Sequence, residues 1–475
     1  MGSKNIIGRE KELNILKGLY ESNQSKLVIV SGRRRVGKTF LIDEAFKGDF
    51  VFKLTGSRNQ PTSIQLRNFI AELERRTKKE SKKIYDWIGA FELLRDYLDS
   101  LDESKRIVVF FDEFPWLDNR KSGFLSAFEF FWNDYGSSKN NLLFIICGSS
   151  TSWIENKILK NKGGLFDRHS AILKLKPFTL KETELFLKDR NINWERIDIV
   201  RLYMVLGGIP YYLNYLDNNL TLNENVDNLF FNDDALLKDE FNQLYLTLFE
   251  RAEGHIKVVT ALSTVKSGLT RKEIADITKL SYNGALSEIL ESLEVSGFIM
   301  SYDRYGDKKE TCYMLMDYFS LFYLRFLKDK HGIDHHYWSN SYESSSKRVY
   351  EGLTFERVCL THIDNIKDAL SIGGVLSTQY PWLKKGNDEE SGAQVDLVID
   401  RRDSVITICE MKFSNAPYLI DKEYSINLRN KIDVFRRSMK TKKTIQLVFI
   451  TTFGIKQSLY NNMINRFIDL DAFFK

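Results

Sequence analysis

The chain has 475 residues, 43% apolar and 28% charged, with a formal charge of +5. That length exceeds a single hydrophobic core, suggests about three domains, and comes with a composition that excludes wholesale disorder. The weak positive balance permits nucleic-acid contact without requiring it, and four scattered cysteines without a CxxC pair read as buried thiols rather than a disulfide framework. No stretch is long and apolar enough to span a bilayer, and the start, MGSKNIIGREKEL, has neither a signal-peptide core nor a myristoylation signal. A cytoplasmic protein without membrane contact is therefore expected.

The first third alternates apolar strand-like runs with helical periodicity, the pattern of an α/β fold with a parallel sheet. Strands are expected at 26–31, 50–53, 106–111, 142–147 and 171–175, within one nucleotide-binding domain over 1–176. Region 177–252 reads as a helical lid, broken at Gly207, Gly208 and Pro210. Short helices and a hairpin, 298–302 with 311–315, make 253–328 a winged-helix candidate. A polar, Ser-rich stretch at 329–348 reads as a linker. The last domain, 349–475, is expected to hold a helix, strands near 395–399 and 405–411, a basic helix and a strand at 445–451. No internal repeat is found.

After the first strand, GRRRVGKTF places Gly32, Gly37, Lys38 and Thr39 in the spacing G-x-x-x-x-G-K-[ST]. The glycines let backbone N–H groups turn inward around phosphates, Lys38 reaches the β and γ oxygens, and the Thr39 hydroxyl can ligate Mg²⁺. Arg33, Arg34, Arg35 and Val36 fill the loop between the glycines; the arginines either reinforce anion binding or are solvated. A second apolar strand, RIVVFFDEF, delivers Asp112 as a magnesium ligand and Glu113 as the group that polarises the attacking water. Ser149, after the fourth strand, is positioned to sense the γ-phosphate. Arg168 is either a charge-stabilising finger, from this chain or a neighbouring subunit, or a surface ion pair.

With these motifs the chain resembles the STAND and AAA+ branch of P-loop ATPases, of the ASCE type, especially a prokaryotic, archaeal-type family with an IGREKEL start (residues 7–13). The resemblance implies that Gly8 and Arg9 lie near the adenine of ATP. It also implies that a glycine-x-proline element, here Gly208, Ile209 and Pro210, closes over the nucleotide.

The run from Leu269 has helix-turn-helix spacing, but its presumed recognition helix carries Glu288, Glu291 and Glu294 and no Lys or Arg, which is poor chemistry for approaching phosphate. Arg304, Lys308 and Lys309 in the wing are better suited to a DNA backbone. Either DNA binding or protein docking suits this module. His331, His335 and His336 lack a fourth partner and do not read as a metal site.

Near the end, QVDLVIDRRDSVITICEMKF puts Asp396 on one strand, and Glu410 with Lys412 on one face of the next. Two carboxylates can hold Mg²⁺ while an ammonium orients a water for attack on phosphorus. This resembles the PD-(D/E)xK restriction-endonuclease superfamily, which implies that Glu356 is the customary helix acid. Val395 stands where a proline is usual. The basic helix from Arg429 to Lys443 either contacts phosphate or presents a solvated face.

The leading expectation is an ATP- and Mg²⁺-dependent switch whose ATPase controls a DNA-binding, nuclease-like C-terminal domain, with a protein partner or self-assembly as further options. The alternative is a signalling or scaffold ATPase whose last domain binds without cutting. A DNA-binding regulator without hydrolysis would leave Glu113 idle.

Overall fold

The computed structural model describes residues 6–160, 163–165, 168–303, 311–328, 334–341, 344–384, 386 and 392–475. Two compact units divide the chain, Met1–Pro177 and Phe178–Lys475.

Unit 1 is built on five parallel strands: β1 (Lys26–Ser31), β2 (Phe50–Thr55), β3 (Ile107–Asp112), β4 (Leu142–Gly148) and β5 (Ala171–Lys174), in the order β2-β3-β4-β1-β5. β3 and β4 are buried along their whole length, so their apolar runs are continuous rather than alternating, as a sheet covered on both faces requires. One face packs on the helices Thr62–Thr77, Trp87–Asp99 and Phe124–Asp134 through Phe69, Trp87, Phe91, Phe128 and Phe131. Because β4 lies between β1 and β3, residues following all three strands meet at one edge, the carboxyl end of the sheet.

Unit 2 opens with helices whose starts are written locally. Thr179 with Glu182, Thr221 with Glu224 and Thr270 with Glu273 each form a reciprocal capping box. The helix Arg196–Leu206 ends at Gly207, φ +70°, and Pro210 opens the helix Pro210–Leu213. Gly208 has φ +64°, and a Cβ there would come within 2.3 Å of the Phe178 carbonyl oxygen, so only glycine passes.

Next come the helices Ala252–Ser263, Arg271–Thr278 and Gly284–Val295 and a small antiparallel sheet, β6 (Leu269–Thr270), β7 (Ile299–Asp303) and β8 (Thr311–Leu315), in the order β6-β8-β7. Glu288, Glu291 and Glu294 are exposed on the last of these helices. Arg304, Lys308, Lys309 and His331 lie outside the described residues.

The described part of 329–348 differs from the linker expectation. Trp338 is 3% exposed and packs on Phe322 and Phe326, and Asp227 accepts the backbone N–H of Trp338 at 2.7 Å. Ser339 also donates its backbone N–H to Asp227, at 3.1 Å, so this part is packed while Asp334, His335 and His336 stay exposed.

The C-terminal sheet comprises β9 (Ser377–Lys384), β10 (Ala393–Arg401), β11 (Val405–Lys412), β13 (Thr444–Thr451) and β15 (Arg466–Ile468), in the order β15-β13-β11-β10-β9. The pair β12 (Tyr418–Leu419) and β14 (Ile455–Lys456) stands apart. β10 runs antiparallel to β9 and β11, while β11, β13 and β15 are parallel. β9 contains Pro381, which argues against a strand from sequence; it is tolerated because β9 is an edge strand. The helix Lys422–Met439 covers one face through Leu428, Val434 and Phe435.

Candidate functional site

The loop joining β1 to the helix Lys38–Ala45 is closed on itself. Lys38 Nζ donates to the carbonyls of Gly32 at 2.8 Å and Arg33 at 3.0 Å. Gly32 has φ +152°, and a Cβ there would sit 2.3 Å from the Leu175 carbonyl oxygen; Gly37 has φ +88°. Both positions need glycine for backbone reasons alone. Arg33 is buried, whereas Arg34 and Arg35 are half-buried. Arg9, 6% exposed, reaches across the loop and donates to the carbonyls of Val36 at 3.4 Å and Lys176 at 2.7 Å. Gly8 precedes it with φ +60°. Arg9 thus braces the loop from outside.

Thr39 Oγ1 donates to Asp112 Oδ2 at 2.9 Å. Burial, with Glu113 next to it, raises the Asp112 carboxyl above its ordinary range despite the Thr39 bond. A hydroxyl and a carboxylate at this spacing are hard oxygen donors that fit Mg²⁺. Glu113 has φ +46°, a left-handed conformation uncommon outside glycine, which turns its side chain away from the strand direction. Ser149 holds both of its oxygens: the backbone N–H donates to Oε2 at 3.0 Å and Oγ lies 3.0 and 2.8 Å from Oε1 and Oε2. The pairing Ser31↔Gly148 sets Ser149 beside the loop. Arg168 is exposed just ahead of β5. Pro210 belongs to the second unit, at the helix start described above.

A second polar cluster lies in unit 2. Asp396 and Glu410 are 6% and 1% exposed on the paired strands β10 and β11, and Asp396 Oδ2 accepts the Met411 N–H at 3.1 Å. Glu356 comes from the helix Ser345–Thr361. Glu410 is held by three donors: Lys412 Nζ at 2.9 Å, Lys431 Nζ at 2.9 Å and the Tyr424 hydroxyl at 2.6 Å. Burial opposes its ionisation, but the two ammoniums outweigh it and keep the carboxyl below its ordinary range. Burial and then Glu410 push Asp396 up, and burial and then Asp396 push Glu356 to about 7. Lys266, from the loop before β6, lies 2.6 Å from Glu356 and 3.4 Å from Asp396. Three carboxylates therefore face three ammoniums. Among the described residues, no three His, Cys, Asp or Glu come together as a group able to hold a metal, so this cluster as arranged does not fit one.

Residues 6–216 match a family described as an ATPase domain predominantly from Archaea. The N-terminal region is a P-loop ATPase domain. Over nearly the whole chain, an uncharacterized protein of Methanocaldococcus jannaschii is 25% identical across 456 residues, covering 91% of this chain and 92% of its own. Among solved structures, the Walker-type ATPase of Pyrococcus abyssi is similar at TM-score 0.48 and 19% identity, covering 67% of this chain and 96% of that one. The Aeropyrum pernix ORC2 protein, in ADPNP–ADP complexes, is similar at TM-score 0.43 and 13% identity, covering 68% and 94%.

Sequence reasoning missed how the ATPase domain braces its loop. Arg9, which the resemblance sets near the adenine, has its guanidinium on the carbonyls of Val36 and Lys176. Ser149, expected to sense the γ-phosphate, holds Glu113, a contact the sequence did not announce. In the C-terminal cluster, Lys431 was read with the phosphate-facing or solvated basic helix but turns inward onto Glu410. Tyr424 lies one helical face along, at i−7 from Lys431, and that spacing was the available signal. Lys266 carried no signal, because it lies 130 residues from Asp396. No helix among the described residues is long and apolar enough to cross a membrane, and the four cysteines are buried.

Proposed function

We propose that the chain hydrolyses ATP with Mg²⁺ in its N-terminal domain and uses that cycle to control a DNA-binding winged helix and a nuclease-like C-terminal domain. The observation that carries the ATPase half is the convergence of Lys38, Thr39, Asp112 and Glu113 at the carboxyl ends of β1 and β3. The loop's N–H groups and Lys38 bind and orient the phosphates; Lys38 must first leave the carbonyls of Gly32 and Arg33. Thr39 and Asp112 would hold Mg²⁺, which when bound neutralises phosphate charge. Glu113, once released by Ser149, takes the proton of the attacking water. Arg168 is the side chain assigned to charge stabilisation, from within the chain or a neighbouring subunit.

Replacing Glu113 with Gln keeps shape and removes the base, so phosphate release is expected to fall by about 10²-fold or more while ATP binding persists. Equal turnover in variant and wild type would remove Glu113 from this role.

The nuclease-like reading rests on Asp396, Glu410 and Lys412 meeting on adjoining strands with Glu356 beside them. A second reading, a switch whose last domain binds without cutting, is favoured by the full set of ammoniums on those carboxylates. Cleavage of single-stranded, duplex and supercoiled DNA with Mg²⁺ or Mn²⁺, with and without ATP, separates them. Activity lost in Asp396→Ala supports the nuclease; no cleavage under any condition supports the binding switch.

A further inference from the structure

The carboxylates of the C-terminal cluster do not share one kind of partner. Lys412 and Lys431 belong to the same domain as Glu410, one on its own strand and one on the covering helix, and both are mostly shielded, with side chains 29% and 18% exposed. Lys266 is different. It arrives from the loop between the helix Ala252–Ser263 and β6, and its side chain is 44% exposed although its ammonium touches Glu356 and Asp396. The loop backbone around it is fixed: the Tyr302 hydroxyl donates to the Ser267 carbonyl, and a Cβ at Gly268 would come within 2.5 Å of the Tyr313 carbonyl oxygen. Tyr302 in turn packs against the core of the C-terminal sheet. A half-exposed lysine on an anchored loop can withdraw by rotating its own side chain, with no backbone cost.

We propose that Lys266 is an intramolecular plug, a cation supplied by the preceding module that occupies the Glu356–Asp396 carboxylates and excludes a divalent cation from them. The proposal rests on the nuclease-like reading of that site and gives the regulation of it. Glu356, Asp396 and Glu410 can carry at most three negative charges, and Lys266, Lys412 and Lys431 already match that number. Adding a divalent ion to a balanced cluster overloads it with positive charge, and withdrawing Lys266 vacates two hard oxygen donors and one unit of charge. Whatever draws the Lys266 side chain away from the two carboxylates therefore sets metal occupancy, which ties the module that carries Lys266 to the site without any change within the sheet.

The test is Mn²⁺ binding to the full chain without nucleotide, read by electron paramagnetic resonance of the free ion, in wild type, Lys266→Met, Lys266→Arg and Lys266→Met/Asp396→Ala. Lys266→Met is expected to bind Mn²⁺ about fivefold more tightly than wild type, as loss of a part-exposed ion pair allows. Lys266→Arg should stay near wild type, since it keeps the charge, and the double variant should lose the gain. Asp396-dependent binding of equal strength in wild type and Lys266→Met would overturn the plug and leave the metal site standing. No Asp396-dependent binding in any variant would overturn both.

Discussion

His362 offers a pH dependence whose sign and size follow from its surroundings. It is 4% exposed, Nε2 accepts the Leu180 N–H at 3.1 Å, and Nδ1 lies 2.9 Å from the Val358 carbonyl oxygen. Only one neutral tautomer satisfies both contacts, with the proton on Nδ1, so a second proton would break the bond to the first turn of the helix Leu180–Asp189. Burial accordingly lowers the imidazole from 6.5 to about 4. Because the unfolded chain takes up this proton first as pH falls, the folded state keeps its full stability above about pH 6.5 and loses it progressively toward pH 4. The linkage amounts to about 1.4 kcal/mol at pH 5.5 and about 2.5 kcal/mol at pH 4.5. Urea unfolding of wild type and His362→Gln between pH 7.5 and 4.5 measures it, since the amide can accept and donate in the same places without titrating. The unfolding free energy of wild type minus that of His362→Gln should fall by those amounts as the pH is lowered. A difference that stays constant across the range would refute the buried, single-tautomer account.

Two further predictions concern the clusters themselves. Gly32→Ala forces a Cβ to within 2.3 Å of the Leu175 carbonyl oxygen at φ +152°, so nucleotide binding should be lost and the melting temperature should fall by an amount equivalent to about 1–3 kcal/mol. Fluorescent-nucleotide titration with a parallel melt checks both, and wild-type affinity would exclude the tight loop. Glu410→Ala strands two half-buried ammoniums and should destabilise the protein by about 1–3 kcal/mol, with Lys431→Met costing less because Lys412 remains. A double-mutant cycle in urea reads the coupling, and strict additivity would mean that the pair is not a unit.

Much of the ATPase domain was legible because its chemistry is local. The loop spacing around Gly32 and Lys38, the apolar strand that ends in Asp112, and the alternation of strand and helix are written within short windows, where backbone preference and periodicity act directly. The Thr-x-x-Glu capping boxes and the glycine pair at 207–208 are equally local. On β10 and β11, strand alternation alone placed Glu410 and Lys412 on one face. Harder to see was β9, whose Pro381 speaks against a strand until its edge position is known.

What the sequence by itself determined is therefore the strands of the ATPase domain and the residues capable of phosphate and carboxylate chemistry, since both depend on neighbours a few positions apart. Tertiary structure alone decided which partners those residues take. That Arg9 braces the Val36 carbonyl, Ser149 grips Glu113, and Lys266 reaches Asp396 depends on chain segments 27, 36 and 130 residues apart being brought together by packing. Ionic and hydrogen-bond contacts act over a few ångströms, and no periodicity in the chain encodes which distant side chain will lie within that reach.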